Sequence, residues 1–459
     1  MARATKNVLA ALLGSMVLFS ACAKKESGVA TAAATGAFDW KRENGKSLTV
    51  FMVQHSTADA IKARIPEFET LTGIKVNLQI TPETNYFDQV SNALASRSGT
   101  PDIFMTGIYQ LWEYSSAGNV EALDSYIGNA SLTGADWDFA DFVPSNISAL
   151  RWDGVAGHAV GSGNLLGLPL CSEIYNLGYN KRAFDKAGIT KVPETFEELL
   201  AACDKLKEWN GPGSYPLAIR GLRDWGTIHP AYLSAYAMYG AKDFAIENGK
   251  LVSKVNSPES VAMNKFWVDL VKRGGSPQWS NASWSQGQTD LGAGKAAMQW
   301  DASNNSIQVN LQNMAEGGNI AFAHSPTLKA GDKVLSNSWI WSIAMNASSK
   351  NKNAAWLFLQ FVTNKDTLKA ASVQGSSVDP VRTSVWNDAG FKAKMATQEG
   401  YIDAFTVTSP NTTILFTPQP AFFETTTDWA ATLQDMVAGK VTVEQGLNDL
   451  KARMDKAVQ

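Results

Sequence analysis

Two periodicities take turns along this chain, and their order limits the fold more than any single motif does. SLTVFMV, residues 47–53, reads as a strand of period two. TADAIKARIPEFETLTG follows as a helix with Ser56 or Thr57 as its N-cap and Gly73 as its stop. IKVNLQI reads as a second strand, residues 86–96 as a second helix, and PDIFMTG as a short apolar strand. Strand, helix, strand in this order requires crossover connections, which set neighbouring strands parallel and place helices on both faces of the sheet. The alternation restarts after Tyr179. TFEELLAACDKLKEW opens with Thr195 and Glu198 at capping-box spacing, YPLAIRG and AAMQWD read as strands, and IHPAYLSAYAMYG and ESVAMNKFWVDLVKRG read as helices. A strand over residues 339–345, an apolar helix over 354–362 and a terminal helix capped by Thr442 and Gln445 complete the pattern. With 459 residues there is enough chain for two such α/β bodies.

The first residues set the compartment. Arg3 and Lys6 precede an apolar run, Val8 to Phe19, that is too short for a membrane span, and Ser20-Ala21 supplies small residues for cleavage. Residues 1–21 therefore read as an export signal. The sequence LFSAC resembles a bacterial lipobox, which makes Cys22 the expected acylated N-terminus. Phe19 departs from the aliphatic residue usual there, and Ala21-Cys22-Ala23 also fits ordinary signal cleavage. Residues 22–46, including the low-complexity run Lys24 to Ala37, then read as a flexible tether from the membrane. In the mature body only Cys171 and Cys203 remain. An exported protein can bridge such a pair, but Cys203 shares a helix face with Phe196, Leu199, Leu200 and Leu206, where a thiol acts as a small hydrophobe. A formal charge of −3, without basic runs, argues against nucleic acid as partner. The 15 tryptophans are the compositional signal, since an indole offers a flat apolar face and one N–H donor.

LCSEIYNLGYNK, residues 170–181, is the most unusual strand. Cys171, Glu173, Tyr175, Leu177 and Tyr179 share one face. A carboxylate in so apolar a strand needs a partner, because an unpaired buried charge costs several kcal/mol.

Taken together, IPEFETLTGIKV, PDIFMTG, GLPLCSEIYNLGYNKRAFDKAGITKVPETFEELL, GAGKAAMQW and IAMNASSKNKNAAWLFLQFVTN resemble, in this order, the bacterial extracellular solute-binding proteins of the sugar-binding type. Those proteins are receptors of ABC importers and are related to the maltodextrin-binding proteins. The resemblance implies an α/β, two-lobe, periplasmic-binding-protein-like fold with a hinged interlobe ligand cleft. The first lobe is expected over 47–168 plus 335–372, and the second over 169–334 plus 373–459. Pro169, Glu173 and Tyr179-Asn180-Lys181 match the spacing that places a sugar-binding glutamate at the cleft floor. Pairing of Glu173 with a hinge lysine is the alternative.

Ligands of α/β lobes sit off the C-terminal ends of parallel strands. That position makes Gln54 and His55 candidates, with His55 as a neutral hydrogen-bonding group. After PDIFM come Thr106, Tyr109 and Gln110. Compared with the maltodextrin binders, Thr106 replaces a tryptophan and Tyr109-Gln110 an acidic-basic pair. Arg223, Asp224 and Trp225 occupy a glycine-flanked loop of the second lobe, where a surface ion pair is the plainer reading. Trp300 and Asp301 end a strand. Trp339 and Trp341 share a strand face and form a stacking platform if that face is cleft rather than core. Arg382 resembles a position on the second-lobe wall.

The expected function is capture of a small neutral sugar or sugar alcohol by a monomeric receptor and its delivery to an ABC permease, with neither cofactor nor catalysis. Two alternatives stand beside it. Glu173 and Asp301 could be cast as the carboxylate pair of a glycoside hydrolase or lyase. A ligand-presenting sensor ectodomain would have the same sequence.

Overall fold

The computed structural model describes residues 37–375 and 379–459. The export signal and Cys22 lie outside the described residues. The expected tether ends earlier than 46, because Phe38 and Trp40 meet edge to face at 5.1 Å and pack on the core. Among the described residues no helix is long and apolar enough to cross a membrane.

Among the described residues thirteen strands carry the architecture: β1 (Ser47–Val53), β2 (Lys75–Thr81), β3 (Ile103–Gly107), β4 (Arg151–Trp152), β5 (Asn164–Leu165), β6 (Leu168–Asn180), β7 (Tyr215–Ala218), β8 (Phe244–Glu247), β9 (Lys250–Ser253), β10 (Ala296–Ala302), β11 (Ile320–His324), β12 (Ser336–Met345) and β13 (Thr412–Thr413). The main sheet runs β2-β1-β3-β12-β6-β10-β7, with β11 also on β6 and β13 on β12. The expected parallel order holds for β1, β2 and β3 and for β7 with β10. It fails at β6 and β12, which run antiparallel to each other, β6 also to β10 and β11 and β12 also to β3. These two are the segments by which the chain passes between the two halves, so no crossover helix dictates their direction.

Strand β6 belongs to both halves. Its first part, up to Ile174, pairs with β12, and from Tyr175 onward it pairs with β10 and β11. The change of partner falls beside Glu173. Below the sheet, helix Lys352–Val362 is buried along nearly its whole length. Helix Phe196–Lys205 has the expected capping box of Thr195 and Glu198, and Thr442 caps the terminal helix, Val443–Ala457. Helix Ser56–Thr72 ends as expected at Gly73, whose φ of 74° is left-handed. Its N-cap is His55 rather than Ser56 or Thr57. The imidazole Nδ1 accepts the Thr57 amide at 3.2 Å. Cys171 and Cys203 are both buried and unbridged. Burial pushes the Cys203 thiol up to about 12, as befits an inert core residue.

Candidate functional site

A cleft of about 920 Å³ opens between the β1–β3 half and the β7/β10 half. Its floor is where β6 meets β12. Trp339 and Trp341 stand on one face of β12, opposite Glu173 and Cys171 in register, and both line the cleft. They do not form one platform: their rings meet at 89° and 5.0 Å. Trp339 stacks instead on Trp225, at 5.1 Å and 27°. It fits only because residue 107 is glycine, since a Cβ there would lie 1.8 Å from the indole. Trp341 lies parallel to Phe87 at 6.2 Å, and Phe87 meets Trp225 edge to face at 5.1 Å. The result is a narrow aromatic slot whose walls come from both halves.

Glu173 is nine-tenths buried at the base of this slot. Its Oε1 accepts the indole N–H of Trp341 at 3.2 Å, and no lysine pairs with it among the described residues. Burial raises its pKa to about 8; Arg220 opposes that shift, while Asp301 and Glu83 add to it. Arg220 lies just past the end of β7. It grips Asp301 through Nε (2.8 Å) and Nη2 (2.6 Å), and its Nη1 donates to the Gly226 carbonyl (3.1 Å) and to His229 Nε2 (3.0 Å). Burial opposes its charge, yet Asp301 outweighs burial and raises the guanidinium's pKa. A guanidinium has five N–H groups, so one on Nη2 remains for the cleft.

The same contacts fix both cleft histidines as neutral. Since a guanidinium only donates, His229 Nε2 must accept, and its proton sits on Nδ1 facing the Tyr175 hydroxyl at 2.8 Å. Burial, aided by Arg220, holds His229 well below the usual imidazole value. At His55 the accepting Nδ1 leaves the proton on Nε2, and burial lowers the pKa to about 4.

Glu83 sits at the start of helix Glu83–Ala95 and Trp284 at the start of helix Trp284–Gly292, on opposite sides of the cleft. The Trp284 indole N–H donates to Glu83 Oε2 at 2.7 Å, a direct side-chain bond between the two halves. Asp224 also faces the cleft; burial raises its pKa, against Arg220 and the amides of Gly226 and Thr227.

Of the expected site residues, Gln54, His55, Glu173, Asp224, Trp225, Trp339 and Trp341 line the cleft. The others do not. Thr106 is fully buried, its hydroxyl turned to the Gly107 carbonyl. Tyr109 is a wedge behind Trp339, 5.2 Å away, and its hydroxyl donates to the Ser338 carbonyl while accepting Asn337 Nδ2 at 2.7 Å. Gln110 is fully buried on the same helix, Ile108–Ser116. Arg223 points outward to Asp435 at 3.3 Å, which is the plainer surface pairing. Trp300 faces the core, its N–H bound to Ser325 Oγ at 2.8 Å. Asp301, on the other face of β10, reaches the cleft only through Arg220. Arg382 is removed from the second-lobe wall. Fully buried, it donates to the carbonyls of Trp137, Asp138 and Thr363 and to Asp141, and lies 4.0 Å over Phe142.

Glu83, Phe87, Arg220, His229 and Trp284 were not expected. Glu83 and Arg220 each follow a strand of a parallel pair, so the positional rule that selected Gln54 would have found them. No motif surrounds Phe87, His229 or Trp284.

The sequence matches the family described as bacterial extracellular solute-binding protein over residues 54–369. The chain belongs to the bacterial extracellular solute-binding proteins. It is 35% identical over 88% of its length to the erythritol/L-threitol-binding protein of Mycolicibacterium smegmatis, covering 84% of that protein. To the mannitol-binding protein of Pseudomonas aeruginosa it is 25% identical over 73% of this chain and 72% of that one. The crystal structure of an ABC transporter solute-binding protein from Agrobacterium vitis S4 with bound D-mannitol superposes with a TM-score of 0.74 and 26% identity, over 90% of this chain and 97% of that one. The two-lobe α/β fold is therefore that of the extracellular solute-binding proteins, as are the extracytoplasmic setting and a role in binding. The relatives are binding proteins rather than enzymes.

Proposed function

We propose that this solute-binding protein captures a short neutral polyol, a sugar alcohol or small sugar, and hands it to an ABC-type permease. One observation carries the reading. The cleft offers aromatic faces together with carboxyl acceptors, while Arg220, the one guanidinium among its described lining residues, is neutralised by Asp301. Indole faces suit the C–H surface of a polyol, carboxyl oxygens accept its hydroxyl protons, and an anion would find no free cation there. The tetritol, mannitol and mannitol-complexed relatives point the same way.

Lobe boundaries at 47–168 plus 335–372 and at 169–334 plus 373–459 suit the partner change in β6, except that Arg382 ties its segment to Trp137 and Asp141 of the first lobe. Closure rotates the lobes about β6 and β12 and brings Trp284 onto Glu83. We further infer a monomer anchored by acylated Cys22. Mass spectrometry of the membrane fraction tests the anchor, and an unmodified chain starting at Lys24 would exclude it.

Calorimetric titration of refolded, ligand-stripped protein with erythritol, threitol, ribitol, mannitol, maltose, maltoheptaose and a uronate tests the ligand class. Heat from the short neutral compounds is expected, with a smaller radius of gyration on binding. Heat only from maltoheptaose or the uronate would refute the reading.

A further inference from the structure

The cleft is strongly unbalanced in its charged side chains. Among its described lining residues are five carboxyl side chains, Asp59, Glu83, Asp88, Glu173 and Asp224, against one guanidinium and no lysine. That guanidinium, Arg220, is held by the buried Asp301 carboxylate, and both cleft histidines are neutral by their hydrogen bonds.

Neutral donors line the cleft as well, among them Gln54, Ser56 and Asn304, together with one Nη2–H of Arg220, the Nε2–H of His55 and the amide Nδ2 of Asn305, which is 6% exposed and has no partner. What its described lining lacks is a free cation. Glu173 is nine-tenths buried, and among the described residues only Trp341 donates to it. Nor do these acids form a metal site, because no group of three or more metal-ligating side chains occurs among the described residues. A hydroxyl brings one donor and can accept in return, whereas an ammonium brings three donors, no acceptor and a positive charge.

We propose that the cleft selects by charge as well as by hydroxyls: it binds an amine-substituted polyol more tightly than the neutral polyol of the same length, and it rejects the matching carboxylate. This rests on the reading that the cleft holds polyols. The ammonium is received by Glu83 and by Glu173, which gives up its proton to solvent as the cation binds, and the remaining hydroxyls accept from Asn305 and Arg220.

The test uses two matched series near neutral pH: erythritol, 1-amino-1-deoxyerythritol and erythronate, and mannitol, 1-amino-1-deoxymannitol and mannonate. In at least one series the amine binds about tenfold more tightly than its parent and the acid about a hundredfold more weakly. Raising salt from about 0.02 M to about 0.5 M narrows the amine-to-parent ratio without moving the parent's own affinity. In Glu83→Gln that ratio falls toward one, and Glu173→Gln provides the same reading if the first variant does not fold. A neutral parent that binds while its amine binds no better overturns this inference and leaves the polyol reading standing. No binding of any parent or amine defeats both.

Discussion

Replacing Glu173 by Gln should make the ligand-free protein more stable and the receptor worse, in a way that depends on pH. In the folded chain Glu173 holds its proton up to about pH 8, against an ordinary value of 4.5. At low pH both folded and unfolded chains carry the proton, so the carboxyl costs nothing. Between these values the unfolded chain loses its proton while the folded chain keeps it, and stability falls by about 1.4 kcal/mol per pH unit; above pH 8 the loss levels off. The neutral glutamine escapes this loss. Its advantage over wild type works out at about 1 kcal/mol at pH 5, about 3 kcal/mol at pH 7 and about 4.5 kcal/mol at pH 8.5. These are upper bounds, since opening of the lobes lets water reach the carboxyl. Urea unfolding of both proteins, refolded to strip ligand, measures the difference at each pH. Polyol affinity of the variant near neutral pH should fall by about 0.5–1.5 kcal/mol, the range for a hydrogen bond between neutral groups. An advantage that is the same at pH 5 and pH 8.5, or a variant less stable than wild type at high pH, would refute the reasoning.

Arg220→Met should destabilise the fold by about 3–5 kcal/mol, because Asp301 is then buried without its partner. Adding Asp301→Leu should restore most of that stability in thermal melts but not polyol binding, and a double variant that binds normally would remove Arg220 from the site. Trp284→Phe deletes the bond to Glu83 and keeps most of the ring, so stopped-flow fluorescence should show ligand leaving about tenfold faster with little change in capture rate. Thiol titration of the mature body should find Cys171 and Cys203 unreactive when native and two free thiols in urea.

Much of the fold was legible because local signals and packing agree. Seven strands and the helices between them follow the expected pattern within a few residues, and the Thr195 box and the Gly73 stop lie where short-range chemistry demands. The antiparallel directions of β6 and β12 were not legible, since direction is set by how the halves join and not by residue period. At the site, Glu173, Trp339 and Trp341 were readable from strand faces. Arg220 was obscured by Arg223, three residues on, since only the loop geometry decides which of the two turns inward to Asp301. Trp300 and Asp301 were both expected at the cleft, yet neighbours on a strand point to opposite faces, so one of the two had to be core. Trp284 meets Glu83 from about 200 residues away, a juxtaposition that no local pattern encodes.

The sharing of β6 has a consequence for how the molecule melts. A receptor built of two lobes invites the expectation of two unfolding steps. Here thirteen consecutive residues, Leu168–Asn180, supply a central strand to each half in turn. Fraying the first half exposes the edge on which the second is zipped, and the reverse holds as well. Heat should therefore find one cooperative unit rather than two, and neither lobe can be excised as an autonomous domain by cutting the chain at any single peptide bond.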